Sequence, residues 1–312
     1  MCTISRREVL KTAGIATLGF IAPASVFSGK KSGDIKFEYC LNTSTLKGQN
    51  QGVLKSLEIA SRAGYESVEF WISDIKEYIS GGKSIRSLKK LIDDSKLEVA
   101  NSIGFAAWMV DNDEQRKEGF TQMEEEMNIL AELGCKRIAA AASGVRNDKP
   151  LDLFKAGERY KQLLDLGRKT GVMPQLEFWG SSNVFWHIGQ ALMVAATAGD
   201  PDARILADVY HMFRGDSSFD SLKMINGSLI EIFHFNDYVT TIPREKQHDS
   251  DRVYPGDGVA PMKQILNDLR NMGGTKILSL ELFNPEYWKQ DPLIVAKTGI
   301  EKMQKLVKIS ES

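Results

Sequence analysis

From residue 35 onward the apolar positions follow two alternating rhythms. Short, near-continuous apolar runs predict strands over residues 35–42, 67–72, 98–105, 137–143, 173–179, 204–212, 230–238 and 276–284. Such runs suit strands that are covered on their outer face and packed within. The segments between them carry helical spacing, as in Phe120, Met123, Met127, Leu130 and Leu133, or Met262, Ile265, Leu266, Leu269 and Met272, which put one apolar stripe on each helix. Glycine closes several helices before the next strand, in RAGYESVEF, ELGCKRI, KTGVMPQ and NMGGTKI, as a left-handed C-terminal cap does. With a last helix over residues 291–310, the chain reads as eight strands alternating with eight helices. That repetition predicts a parallel sheet closed into a single (β/α)₈ TIM barrel over residues 35–312. The competing open, doubly wound sheet lacks support because no GxGxxG follows the first strand.

Acids interrupt these apolar strands. In LSLELFNPEY the carboxylate of Glu281 stands where a buried strand is expected, and a buried, unpaired carboxylate is costly. The same interruption recurs at the C-terminal ends of four successive strands, with Glu177, Asp208, His234 and Glu281. Barrel chemistry sits at those ends, and neighbouring strands lie about 4.8 Å apart, so the four donors converge. Three carboxylates and one imidazole suit one divalent cation, Mn²⁺, Mg²⁺, Co²⁺ or Zn²⁺. Taken singly, each is equally a solvated loop-edge acid or a satisfied core histidine; their matched positions argue for a shared ion. His211 follows Asp208 by three residues. Arg252 precedes a Pro-Gly-Asp-Gly turn in a long polar loop, placed either to hold a substrate oxygen or to pair with Asp251 or Asp257. His248 reads as a solvated loop residue, and His187 as one on the face of the fifth helix.

Composition narrows the alternatives. The 312 residues are 42% hydrophobic and 26% charged, with a formal net charge of −1 and no strongly basic run. This is globular composition without the electrostatic footprint of a nucleic-acid binder. Of three cysteines, Cys2, Cys40 and Cys135, the last two read as buried thiols without metal-ligand spacing. Residues 1–24 contain SRREVLK, a mildly apolar Gly/Ala-rich stretch and Ala22-Pro23-Ala24. They read as a twin-arginine-type signal peptide, followed by a linker over residues 25–34, and predict an exported, periplasmic protein. The apolar stretch is too short for a stable membrane anchor.

The strand-end donors, the DxxH of Asp208 and His211, the DRVYPGDG loop and ELFNPEYW at residues 281–288 together resemble the xylose isomerase-like barrels of the sugar isomerase/epimerase superfamily. The last two motifs look most like inosose (2-keto-myo-inositol) isomerases. The resemblance implies that Glu177 and Glu281 both ligate the metal and exchange substrate protons, with Asp208 and His234 as the other ligands. It implies substrate contacts from His211 and Arg252, and a hydroxyl contact from Glu69. It also suggests sugar-facing walls drawn from Trp71, Trp108, Phe178 and Trp179, and a homo-oligomer. The export signal and the long loop after strand 7 depart from typical inosose isomerases and leave the substrate open.

The expected function is therefore metal-dependent isomerisation or epimerisation of a sugar or keto-polyol by a two-glutamate proton shuttle. The same site run as a lyase or hydratase on a keto-sugar or inosose is the alternative. A related apurinic-site endonuclease would gather more histidines than the four present, and a non-catalytic sugar-binding barrel would have no use for the ligand set.

Overall fold

A computed structural model describes residues 35–311; the signal-peptide and linker readings lie outside the described residues. The elements run β1 (Phe37–Asn42), α1 (Gly52–Ala63), β2 (Ser67–Trp71), α2 (Ile72–Ser80), α3 (Ile85–Ser95), β3 (Glu98–Ile103), α4 (Asp113–Glu132), β4 (Arg137–Ala141) and α5 (Leu153–Thr170). They continue with β5 (Met173–Glu177), α6 (Ile188–Ala198), β6 (Ile205–Asp208), α7 (Val209–Arg214), β7 (Ile232–His234), α8 (Met262–Met272), β8 (Lys276–Leu280), α9 (Pro285–Trp288) and α10 (Pro292–Ser310). The eight strands are parallel, in the order β3-β2-β1-β8-β7-β6-β5-β4, a nearly closed barrel. At the remaining seam, between β3 and β4, Arg137 Nη1 donates to Ala100 O at 3.3 Å. No helix among the described residues is long and apolar enough to cross a membrane.

The alternation forces this closure. Strand residues two apart point the same way, so a helix-covered strand buries one set of side chains under helices and the other inside the barrel. The helical stripes find that cover: Met123, Met127 and Leu130 on α4, and Ile265, Leu266 and Leu269 on α8, are fully buried. Cys40, Ala139, Leu206, Ile232 and Ile277 fill the barrel interior. Cys40 and Cys135 are buried free thiols, as expected for a core of this size.

Every strand is shorter than its apolar run, most often at the C-terminal end, and the cause is clearest at β6, β7 and β8. Residues 209–212 are helical, because the Asp208 carboxylate accepts the backbone N–H of His211 at 3.0 Å and caps α7. β7 and β8 end at His234 and Leu280. Asp208 and His234 are the last residues of β6 and β7 and Glu281 is the first beyond β8, so the apolar residues that follow each donor pack as loop or helix. Two helices follow β2, since Gly81 and Gly82 break the segment after Ser80.

Candidate active site

Strand register brings the donors together. Asp208 pairs with His234 across β6 and β7, and His234 with Ser279 across β7 and β8; Glu281 follows β8 directly. One ligand atom from each of Asp208, His234 and Glu281 lies within 4.8 Å of the other two, and all three residues are buried. His234 Nδ1 is 3.0 Å from Glu281 Oε2 and 3.4 Å from Asp208 Oδ2, yet it has no hydrogen-bond partner. Those separations match the edges of a coordination polyhedron, since bonds of about 2.1 Å at 90–110° put neighbouring ligand atoms roughly 3.0–3.4 Å apart.

The surrounding groups fit a cation. Glu69, wholly buried on β2, faces the other imidazole nitrogen: His234 Nε2 is 3.0 Å from its Oε2. A hydrogen bond there leaves the Nδ1 lone pair for a metal, the arrangement in which a carboxylate orients a metal-bound histidine. Glu69 is itself fixed by Asn42 Nδ2 (2.8 Å), Asn101 Nδ2 (2.7 Å) and Ser279 Oγ (2.6 Å). Burial alone raises its pKa, but His234 and these donors outweigh that and hold it below the usual carboxylate range. Burial likewise opposes a charge on His234, yet Glu281, Glu69 and Asp208 overcome it and lift its pKa well above normal. The site thus draws a proton onto the imidazole when nothing else supplies positive charge; a divalent ion would take that proton's place. Asp208, His234 and Glu281 are the residues that would hold it.

Glu177, expected as a fourth ligand, is not among the residues whose donor atoms converge. It is 4% exposed, and its Oε2 has no hydrogen-bond partner. Burial is the main cause that pushes its pKa up to about 8; Glu281, Glu69 and Asp208 add to the shift and His234 opposes it. Glu177, His211, Arg252 and Glu281 line the floor of a cavity of about 240 Å³. Its walls are Trp71, Phe105, Trp179 and Phe283, with ring centroids 5.2 Å (Trp71–Phe105), 6.1 Å (Trp71–Phe283) and 6.1 Å (Phe105–Trp179) apart. A larger groove of about 730 Å³ beside α1 and α2 holds none of the strand-end donors and is not the chemical site.

Arg252 is 1% exposed despite its place in a loop. The loop is held by Asp237, whose carboxylate accepts the backbone N–H of Tyr238, Gly256, Gly258 and Ala260 at 2.8–3.1 Å, and by the antiparallel bridge of Asp237 to Val253. A Cβ at Gly258 would lie 2.1 Å from Tyr238 O, so the PGDG turn needs glycine there. Arg252 pairs with neither Asp251 nor Asp257 among the ion pairs of the described residues; it bonds Asp208, Glu281 and Asp249. His211 Nε2 lies 3.2 Å from Arg252 Nη2. Burial first, and then Arg252, lower the His211 pKa against the pull of Asp208.

Two substrate-contact expectations are corrected. Trp108 is fully buried, donates its indole N–H to Ala141 O at 2.9 Å and packs on Tyr160; it belongs to the wall between β4 and α5, not to the cavity. Glu69 is wholly buried against His234, Asn42, Asn101 and Ser279 and is not among the residues that line the cavity. Trp179 does line the cavity, as do His211 and Arg252. His187 is not on a helix face; it caps α6 by accepting from Gly189 N at 2.9 Å. His248 is exposed. Sequence reasoning missed Asn42 and Asn236, which donate to Glu281 Oε1 (3.1 Å) and to Asp208 Oδ1 (3.2 Å). Each ends or follows an apolar strand run, where asparagine is disfavoured, and that was the available signal. Asp249 gave none, being one of several acids in a polar loop.

Removing the Glu69 charge by Glu69→Gln is expected to weaken divalent-metal affinity by about 10–100-fold. Zinc titration against a competing chelator checks this; unchanged affinity would show that Glu69 does not orient the ligand.

Residues 57–306 match the family model described as xylose isomerase-like TIM barrel. The inosose isomerase of Bacillus licheniformis is 27% identical over 285 residues, covering 86% of this chain and 99% of that protein. The inosose isomerase of Bacillus velezensis is 26% identical over 279 residues, covering 86% and 96%. A crystal structure of the IOLI protein with a bound zinc atom superposes with a TM-score of 0.79 at 23% identity, over 88% of this chain and 99% of that one. The chain belongs to the xylose isomerase-like TIM barrel family.

Proposed function

We propose that the protein is a divalent-metal-dependent isomerase or epimerase of an unphosphorylated sugar or keto-polyol, with Glu177 and Glu281 as its proton-transfer pair. The observation that carries this reading is the unpartnered, buried Glu177 carboxylate, which lines a cavity together with Glu281, one of the converging donors Asp208, His234 and Glu281. The inosose isomerase relatives, which align over nearly their full length, support the reaction class.

A divalent ion held by Asp208, His234 and Glu281 would supply Lewis acidity, making a C–H beside a substrate carbonyl easier to deprotonate. Glu177 is the group free to take that proton, because no neighbour occupies its Oε2. A base whose pKa lies near the working pH suits such a transfer in both directions. Glu281 delivers a solvent-derived proton to the neighbouring carbon, a hydroxyl proton passing to the former carbonyl oxygen (isomerisation), or to the opposite face of the same carbon (epimerisation), and Glu177 releases the proton it took to solvent to close the cycle. Arg252 and His211 offer contacts for substrate oxygens. The aromatic walls cover the C–H faces of a bound polyol and exclude water from the reacting carbon. Arg252 is the one Lys or Arg side chain lining the cavity, beside the carboxylates of Glu177, Asp249 and Glu281, and this excess of acid favours an unphosphorylated substrate.

Incubation of the metal-loaded protein with ketoses and inososes in D₂O, followed by NMR, tests the reading. Deuterium is expected at a carbon beside the carbonyl, and Glu177→Gln is expected to reduce its incorporation by at least about 10²-fold while metal content is retained. Conversion without deuterium would replace the proton shuttle by a hydride shift, and loss of a hydroxyl would make the enzyme a lyase. Export belongs to the same proposal and rests on the SRREVLK pattern alone. Mass spectrometry of the mature protein is expected to find a chain beginning near Ser25, and a full-length chain retained in the cytoplasm would overturn it.

A further inference from the structure

Arg252 makes two sets of contacts with different partners. Inward, its Nη1 donates to Asp208 Oδ2 at 2.7 Å and to Glu281 Oε2 at 2.8 Å. These are the same two oxygens that face His234 Nδ1 at 3.4 and 3.0 Å. Outward, its Nη2 and Nε donate to Asp249 Oδ1 at 2.6 and 3.1 Å. The guanidinium also lies 4.8 Å from the Tyr210 ring and 5.1 Å from the Phe283 ring. A guanidinium and a divalent ion that both approach these inner oxygens closely repel each other strongly in a poorly solvated site.

The ligand carboxylates do not need Arg252 to hold their orientation. Asp208 Oδ1 accepts from His211 N at 3.0 Å and from Asn236 Nδ2 at 3.2 Å, and Glu281 Oε1 accepts from Asn42 Nδ2 at 3.1 Å. Only the oxygens turned toward the ion position are taken by the arginine. We infer that Arg252 is a movable counter-cation: it competes with the divalent ion for Asp208 and Glu281, and yields to it by withdrawing onto Asp249 between Tyr210 and Phe283. This rests on the reading that Asp208, His234 and Glu281 bind the ion. Metal loading would then release the inner edge of the guanidinium for a substrate oxygen, so that metal precedes substrate.

The alternative role, an arginine that positions the two carboxylates for ligation, predicts the opposite sign. Mn²⁺ binding to the purified protein, followed by the electron paramagnetic resonance signal of free Mn²⁺, separates them. Arg252→Gln is expected to tighten Mn²⁺ binding by about tenfold or more. Asp249→Asn, which weakens the outer berth, is expected to loosen it by about threefold or more. In the double variant the Asp249 effect is expected to vanish, because it acts through Arg252. Unchanged or weaker binding by Arg252→Gln overturns the inference, as does an Asp249→Asn effect of equal size in both backgrounds. If Arg252→Gln does not fold, Asp249→Asn decides alone, and unchanged or tighter binding there overturns the inference. A wild-type protein that binds Mn²⁺ while Arg252→Gln binds no tighter leaves the proposed metal site standing without the competition. A wild-type protein that binds none removes both.

Discussion

The site depends on negative charge buried at one end of a barrel. Glu69, Glu177, Asp208 and Glu281 all lie at least 95% out of solvent, with two histidines, His211 and His234, and one arginine, Arg252, beside them. Removing carboxylates from water is costly unless cations and donors compensate, and each neighbouring feature is a form of compensation. Glu69 takes three side-chain donors and faces His234. Asp208 caps a helix and bonds Arg252; its pKa falls well below the ordinary carboxylate range because Arg252, His211 and His234 outweigh the burial that opposes it. Glu177 has no such partner, and its pKa rises. Two carboxylates in one environment are thus driven in opposite directions, which is the usual signature of an acid–base site.

The scaffold makes this arrangement sustainable by separating tasks along each strand. Interior positions below the acids are small or apolar, such as Cys40, Ala139 and Ile277, while the polar group closes the strand. Loops then supply what strands cannot. Asp237 fixes the 251–260 turn through three of its backbone donors, Gly256, Gly258 and Ala260, and this brings a loop arginine to 1% exposure. The long connection after β7 is therefore held where Asp249 and Arg252 enter the site.

The barrel was legible because the two apolar rhythms alternate without interruption, and the four strand-end donors because a charged residue inside an apolar run is conspicuous. The sequence could not show which acids meet the imidazole. That depends on pairing register, including the irregularity between Val68 and Glu69 opposite β3, which sets Glu69 beside Asn101 and under His234. Trp108 misled for a related reason: an aromatic residue just beyond a strand has the same pattern whether it turns into the cavity or, as here, back onto Ala141 and Tyr160. Asn42 and Asn236 carried a weak signal, while the two-sided setting of Arg252 left no trace in the sequence because its side-chain partners come from three stretches of the chain, 208–211, 249 and 281–283.

Anomalous diffraction from a crystal grown with excess Zn²⁺ tests the central claim, that this buried charge exists to hold a cation. One strong peak is expected, bonded to Asp208, His234 Nδ1 and Glu281 at about 2.0–2.2 Å. A fully loaded crystal with no peak among these three residues, or with the metal bound where His234 does not reach it, would contradict it.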